Sequence, residues 1–278
     1  MDLSIVIRCG DDERVFDCIH SIDEDVEIMV STSENPEFQS KLEARGIQYC
    51  LSPRGNLSEV SNIGFNHAKH EKVIITDSDT IFEKGTIKKM YLALDEYDVV
   101  RAKLQFRTYK KKPFSRTVAE ARDYVNSLPL VFTPGIGIKR GITEKIGGFL
   151  FNDPVPFAVD ADMDYRIKQA KIPVKYLSNA AIYHDAESIR HDMKAAYRIG
   201  AGCMTSAIYL SESFHNGQKA PIAIVRDLKG VRVEHWNDLL RTKGVGVFMY
   251  QMMWDIMFYS GKNWRWLTRN QLSDEQEG

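Results

Sequence analysis

Only four cysteines occur in this 278-residue chain, Cys9, Cys18, Cys50 and Cys203, and no two form a C-x-x-C pair. That scarcity excludes a disulfide framework and a structural zinc site, and it fits a reducing compartment. Charge of one sign is also missing, since 37 lysines and arginines face 38 aspartates and glutamates. No net field draws in nucleic acid or an anionic membrane, so no nucleic-acid partner is expected and only local patches remain for such contacts. The N-terminus, "MDLSIVIRCGDDE", reaches acidic residues too soon for the apolar stretch of a signal peptide, so a cytoplasmic location is expected. Internal repeats and low-complexity tracts are absent, which leaves an ordinary folded chain.

Hydrophobic residues make up 44% of the sequence, enough for a real core. The length suits one domain with an appendage. In the first half, short β-rich runs alternate with helix-length segments. "LSIVI" (3–7), "VEIMVS" (26–31), "IQYCL" (47–51), "VIIT" (73–76) and "DVVRAKL" (98–104) read as strands. Between them "DERVFDCIHSI", "NPEFQSKLEARG" and "LSEVSNIGFNHAKH" carry helical spacing. Near-continuous apolar strands alternating with helices predict an α/β fold whose mostly parallel sheet is covered on both faces. Such a sheet binds its ligand beyond the carboxyl ends of its strands.

At that end of the fourth strand, "VIITDSDTIF" (73–82) places Asp77 and Asp79 one residue apart. In extended chain, residues i and i+2 point the same way, so both carboxylates can face one ligand across Ser78. Paired carboxylates make a hard-cation site for Mg²⁺ or Mn²⁺ beside an anionic substrate. The alternative is an Asx-type turn that caps the next helix.

Two downstream stretches add to the pattern: "GIGIKRGITEKIGGF" (135–149) and "VDADMDYRIKQAKIPVKYLSNAAIYH" (159–184). In order, the chain has a strand ending in D-x-D, a glycine-rich segment closing on G-G-F, an acidic D-x-D-x-x-x-R helix start and a strand ending in histidine. Over residues 3 to 185 it resembles the family 2 glycosyltransferases, which carry the nucleotide-diphospho-sugar-binding GT-A fold. The resemblance implies a GT-A catalytic domain over 1–185 and a helical C-terminal extension over 186–278. It makes Asp79 a direct metal ligand, Asp77 a ribose or supporting contact and His184 a further ligand to Mn²⁺ or Mg²⁺. A histidine after an apolar strand is otherwise most often structural. Asp160 inherits the role of catalytic base, with Asp162 and Arg166 keeping the pattern and Val159 standing where the family has a second acid. Helix-start charging is the competing explanation for Asp160, Asp162 and Asp164. Gly135 and Gly137 would floor the acceptor and donor-sugar pocket, or simply form a tight turn.

The nucleotide end departs further from the family. "RCGDDE" stands in place of P-x-Y-N, so Asp11 falls at the asparagine position and Arg8 at the proline. "VSTSEN" replaces D-D-x-S, leaving Glu34 as the substitute acid, or the nucleotide bound in another way. "RGNLSEVSNIG" keeps Asn62 and Gly64, with Ser61 where an arginine is common. A UDP-sugar is the donor the family favours.

Beyond His184, helical pattern runs from about 186 to 211. There Arg198 is a candidate contact to the leaving diphosphate, or a surface or packing arginine. The segment "VGVFMYQMMWDIMFYSGKNWRW" (245–266) is broken by Gln251 and Asp255 and is too short to span a bilayer. It reads three ways: a helix packed on the catalytic domain, a dimer contact, or an interfacial helix at a membrane carrying a lipid-linked acceptor. The expected activity is metal-dependent, inverting sugar transfer from a sugar nucleotide to a saccharide hydroxyl or a polyprenyl phosphate. The alternatives are an inert sugar-nucleotide-binding or scaffold protein and, against the acidic "RCGDDE", a nucleotidyltransferase.

Overall fold

A computed structural model describes residues 1–108, 114–229, 231 and 233–269. The chain opens with β1 (Leu3–Arg8), α1 (Val15–His20), β2 (Glu27–Thr32), α2 (Pro36–Glu43), β3 (Gln48–Leu51), α3 (Leu57–His67) and β4 (Lys72–Asp77). It continues through β5 (Thr80–Phe82), α4 (Thr86–Glu96), β6 (Val99–Arg107), α5 (Ser115–Ser127), β7 (Ile136–Lys139), α6 (Ile142–Lys145), α7 (Val159–Gln169) and β8 (Val174–Asp185). Four more helices follow: α8 (Ile189–Tyr209), α9 (Pro221–Lys229), α10 (Val233–Lys243) and α11 (Val245–Leu267). A π-helical turn, Leu210–Phe214, closes α8.

All eight strands join one sheet in the order β3-β2-β1-β4-β7-β6-β8-β5. β1 to β4 are mutually parallel, as their connection through helices requires, and β7 runs antiparallel to both β4 and β6. Local chemistry sets the helix starts. Asn35 caps α2 by accepting from the Phe38 amide with Pro36 in the first turn, and Asn56 caps α3 through the Ser58 and Glu59 amides. One sheet face is buried by α1, α2 and α4, through residues such as Val15, Phe38 and Met90. The other is buried by α3, α6 and α7, through Phe65, Ile142 and Met163. The strands are therefore apolar on both sides, which is why they read as continuous runs.

Helices α8 and α11 then pack along one another with no room for side chains at their crossing. A Cβ on Gly200 would lie 1.9 Å from the Phe258 carbonyl oxygen, and one on Gly261 1.9 Å from that of Tyr197. Gly202 likewise admits the Phe157 carbonyl. That contact seats the helical extension directly behind the start of α7, where the acidic motif lies. No described helix is long and apolar enough to cross a membrane.

Candidate active site

The apolar run of β4 ends in a turn that the sequence itself fastens. The Thr80 hydroxyl donates to the Asp77 carbonyl at 2.7 Å, and the Ser78 amide donates to the Arg8 carbonyl. The chain then leaves as the short strand β5, which pairs antiparallel with β8 and sets Thr80 opposite His184. That register brings the histidine to the second aspartate: His184 Nε2 lies 3.1 Å from Asp79 Oδ2. His184 Nδ1 is 2.7 Å from the Asp185 carbonyl, so that nitrogen carries a proton and donates, and Nε2 is the atom turned toward Asp79. Burial disfavours the charged ring, but the bond to Asp79 outweighs it and lifts His184 to about 9. Burial also works to raise Asp79, yet His184 and then Arg14, 3.3 Å away, hold its carboxyl below the usual range.

Asp77, Asp79 and His184 border a cavity of about 390 Å³ at the carboxyl ends of β1 and β4. Asp11 lies on its rim, gripped by Asn35 at 3.1 Å and Arg54 at 2.6 Å, two bonds that keep its carboxyl below the usual range. Glu34 is exposed and lines an adjoining surface hollow with Ser33, Ser52 and Arg54.

A second cavity, about 270 Å³, adjoins the first; Arg8, Leu57 and Asp77 border both. Asp160, Thr133, His191 and Arg198 line it, with the Arg198 guanidinium 5.5 Å from the Phe157 ring. Asp160 sits in the first turn of α7, two residues after Ala158, whose positive φ of 61° is uncommon for a residue with a side chain. Burial pushes the Asp160 carboxyl up to about 6, against the pull of the Arg8 charge. α3 holds the approach to this turn: Ser58 donates to the Val155 carbonyl, Asn56 to the Asp153 carbonyl, and the Leu57 amide to the Pro156 carbonyl.

Three residues expected at the pocket lie elsewhere. Asn62 spends its amide on Phe151 and Asp153, at 2.7 to 3.1 Å, holding the 151–153 loop to α3. Gly137 is inside the sheet, where a Cβ would meet Val100, Leu94 and Met90, so its role is to let α4 approach β7. Gly135 has φ +88° and faces Ile182, in the turn that enters β7, and it is not among the residues lining either cavity. The acidic motif also divides in two. Asp162 and Arg166 are fully buried; Arg166 Nε donates to Asp162 at 2.8 Å, and its other nitrogens bind the Ile146, Phe149 and Leu150 carbonyls. Ser206 of α8 donates to the second Asp162 oxygen at 2.6 Å. This pair ties the G-G-F turn to α7 and α8, while Asp160 alone reaches the cavity.

Sequence reasoning missed Arg8 as a site residue. Its register partner on β4 is Asp77, and it donates to Asp77 Oδ1 through Nε at 2.7 Å and Nη2 at 2.6 Å. Its Nη1 is buried and unpartnered between the two cavities. The readable signal was a cation at the end of β1, beside the strand that ends in D-x-D.

The profile of glycosyl transferase family 2 matches residues 15–159, just over half of the chain. The chain belongs to glycosyl transferase family 2. Solved structures of S. aureus TarS share the fold. A TarS structure is 15% identical with a TM-score of 0.50 over 95% of this chain, which spans 55% of that protein. TarS 1-349 is 14% identical with a TM-score of 0.51, covering 98% of this chain and 92% of that one. TarS 1-349 in complex with UDP-GlcNAc is 15% identical with a TM-score of 0.50 over the same shares. No curated protein sequence matches. The four cysteines are buried free thiols. A larger cavity, about 690 Å³ between α9, α10 and α11, is lined by none of the motif residues.

Proposed function

We propose that this family 2 glycosyltransferase moves a sugar, with inversion, from a nucleotide diphosphate to a hydroxyl or polyprenyl phosphate, using a divalent metal and Asp160 as base. The observation that carries the reading is the adjacency of two cavities. Asp79 and His184 border one, Asp160 borders the other, and the Arg8–Asp77 pair stands between them. The nucleotide and diphosphate belong in the first, within reach of Asp11, and the sugar and acceptor in the second.

No group of three or more metal-binding side chains occurs among the described residues. Asp79 and His184 would therefore hold the ion with one oxygen and one nitrogen, with the donor's diphosphate as the remaining source of oxygen. That mixed set suits Mn²⁺, with Mg²⁺ the harder alternative. Bound there, the metal would neutralise charge on the departing diphosphate. The protein's own part is positional and electrostatic. Arg8 presents a buried N–H donor at the junction where the sugar meets the diphosphate, and Arg198 adds a cation to the transfer cavity. Asp160 takes the acceptor proton as the oxygen attacks the sugar carbon opposite the leaving group, and its raised pKa keeps it a competent base near neutrality. UDP-GlcNAc, the ligand of the TarS 1-349 complex, is the first donor to try.

The test is a thermal-shift screen of UDP-, GDP- and dTDP-sugars with and without Mn²⁺. Stabilisation by a sugar nucleotide that needs the metal supports the reading, whereas indifference to every sugar nucleotide would sink it.

A further inference from the structure

Helix α11 keeps its acid on the inside. Its one acid, Asp255, is buried and bonded to the buried Lys229 at 2.9 Å. Its ten exposed positions include no charged residue. Val245, Met249, Met253, Ile256, Trp264 and Leu267 stand among them, Leu267 78% and Ile256 61% exposed. Steps of three and four keep them along one side of a helix of 23 residues, about 34 Å long. The opposite side, with Val247, Trp254 and Phe258, is already buried by packing, so the core does not account for the outer stripe.

Charge around the stripe narrows what covers it. From 239 to 269 the sequence holds five cations and only the buried Asp255 as an acid. Arg241 and Lys243 precede the helix start, while Lys262 and Arg269 mark its far end. Two copies of α11 placed face to face would set cations against cations at both ends in either orientation. A surface of anionic headgroups over acyl chains complements every part: apolar stripe, cationic ends, and Tyr259 and Trp264 at the depth such rings prefer.

We infer that α11 docks this protein on an anionic lipid bilayer, lying in the interface plane with its outer stripe in the acyl boundary. The contact needs neither donor nor metal.

The test is flotation of the full chain with phosphatidylcholine vesicles, with and without phosphatidylglycerol, at low and high salt. Binding to the anionic vesicles alone, weakened by salt, is expected. Met253→Glu with Ile256→Glu should abolish it, and the gentler Met253→Ser with Ile256→Ser should weaken it at an unchanged melting temperature. Each of Lys243→Gln and Lys262→Gln should lower partitioning roughly fivefold. Failure of the wild type to float with anionic vesicles overturns the inference. So does a concentration-dependent dimer in sedimentation equilibrium that the glutamate variant splits, since a second copy would then cover the stripe.

Discussion

Replacing Asp160 with asparagine should remove transfer and at the same time make the protein more stable at neutral pH. Burial lifts this carboxyl from its ordinary 3.8 to about 6 in the folded chain. Between those two values the folded state holds a proton that the unfolded chain has lost, so stability falls as pH rises through the window, and the full penalty persists above it. The gap corresponds to at most about 3 kcal/mol; with the side chain partly open to the cavity, between about 1 and 3 kcal/mol is expected. Asparagine escapes the penalty and keeps an oxygen to accept the Ala161 amide, now 3.0 Å from Asp160 Oδ1. Urea denaturation of both proteins at pH 7.5 and pH 4 is the assay. The variant should lead at pH 7.5 and the difference should close toward pH 4. In the wild type, turnover should fall on an acid limb centred near pH 6, to roughly a tenth of its plateau one pH unit below that. The variant should lose about 10² to 10⁴-fold in turnover with donor affinity little changed. An asparagine variant no more stable than wild type at pH 7.5, or one that still turns over, would refute the reasoning.

Other outcomes follow from the same geometry. Asp79→Ala should abolish metal-dependent donor binding in a thermal-shift assay while the metal-free melting temperature changes little; undiminished turnover removes the metal role. Arg8→Met takes away the cation that draws Asp160 down, so the acid limb should move to higher pH, and donor affinity should fall about tenfold or more with the loss of a charged hydrogen-bond donor; an unmoved pH profile would show that Arg8 acts only on Asp77. Arg166→Met leaves Asp162 buried without its partner and should cost about 3 to 5 kcal/mol in chemical denaturation. A cost under about 1 kcal/mol would mean that water reaches that pair.

The parallel half of the sheet was legible because β1 to β4 are buried on both faces and their connecting helices begin with strong caps such as Asn35 and Asn56. β5 was not, since three residues carry too little pattern and the strand exists only because β8 pairs with it. At the site, the order of motifs was enough to put Asp79 beside His184, whose meeting depends on that same pairing. Roles that depend on direction were hidden. Asn62 points at the 151–153 loop, Gly137 toward α4, and Arg8 across a parallel register to Asp77, and none of these vectors is visible in a linear pattern. The 245–266 segment resisted a single reading because α11 is apolar on both sides, one packed and one bare.

The α8–α11 crossing has a consequence for how homologous sequences can drift. At Gly200 and Gly261 the atoms that a Cβ would strike are main-chain carbonyls, which no exchange of neighbouring side chains can withdraw. At Gly64 and Gly137 the nearest atoms are the side chains of Val6 and Val100, which a smaller residue could replace. An alignment of orthologues should therefore show Gly200 and Gly261 as two independently invariant columns. Position 64 should covary with 6, and 137 with 100, where alanine at one site is balanced by a trimmed partner at the other. Selection would thus hold α11 to α8 at two points, with no compensatory route by which either could be released.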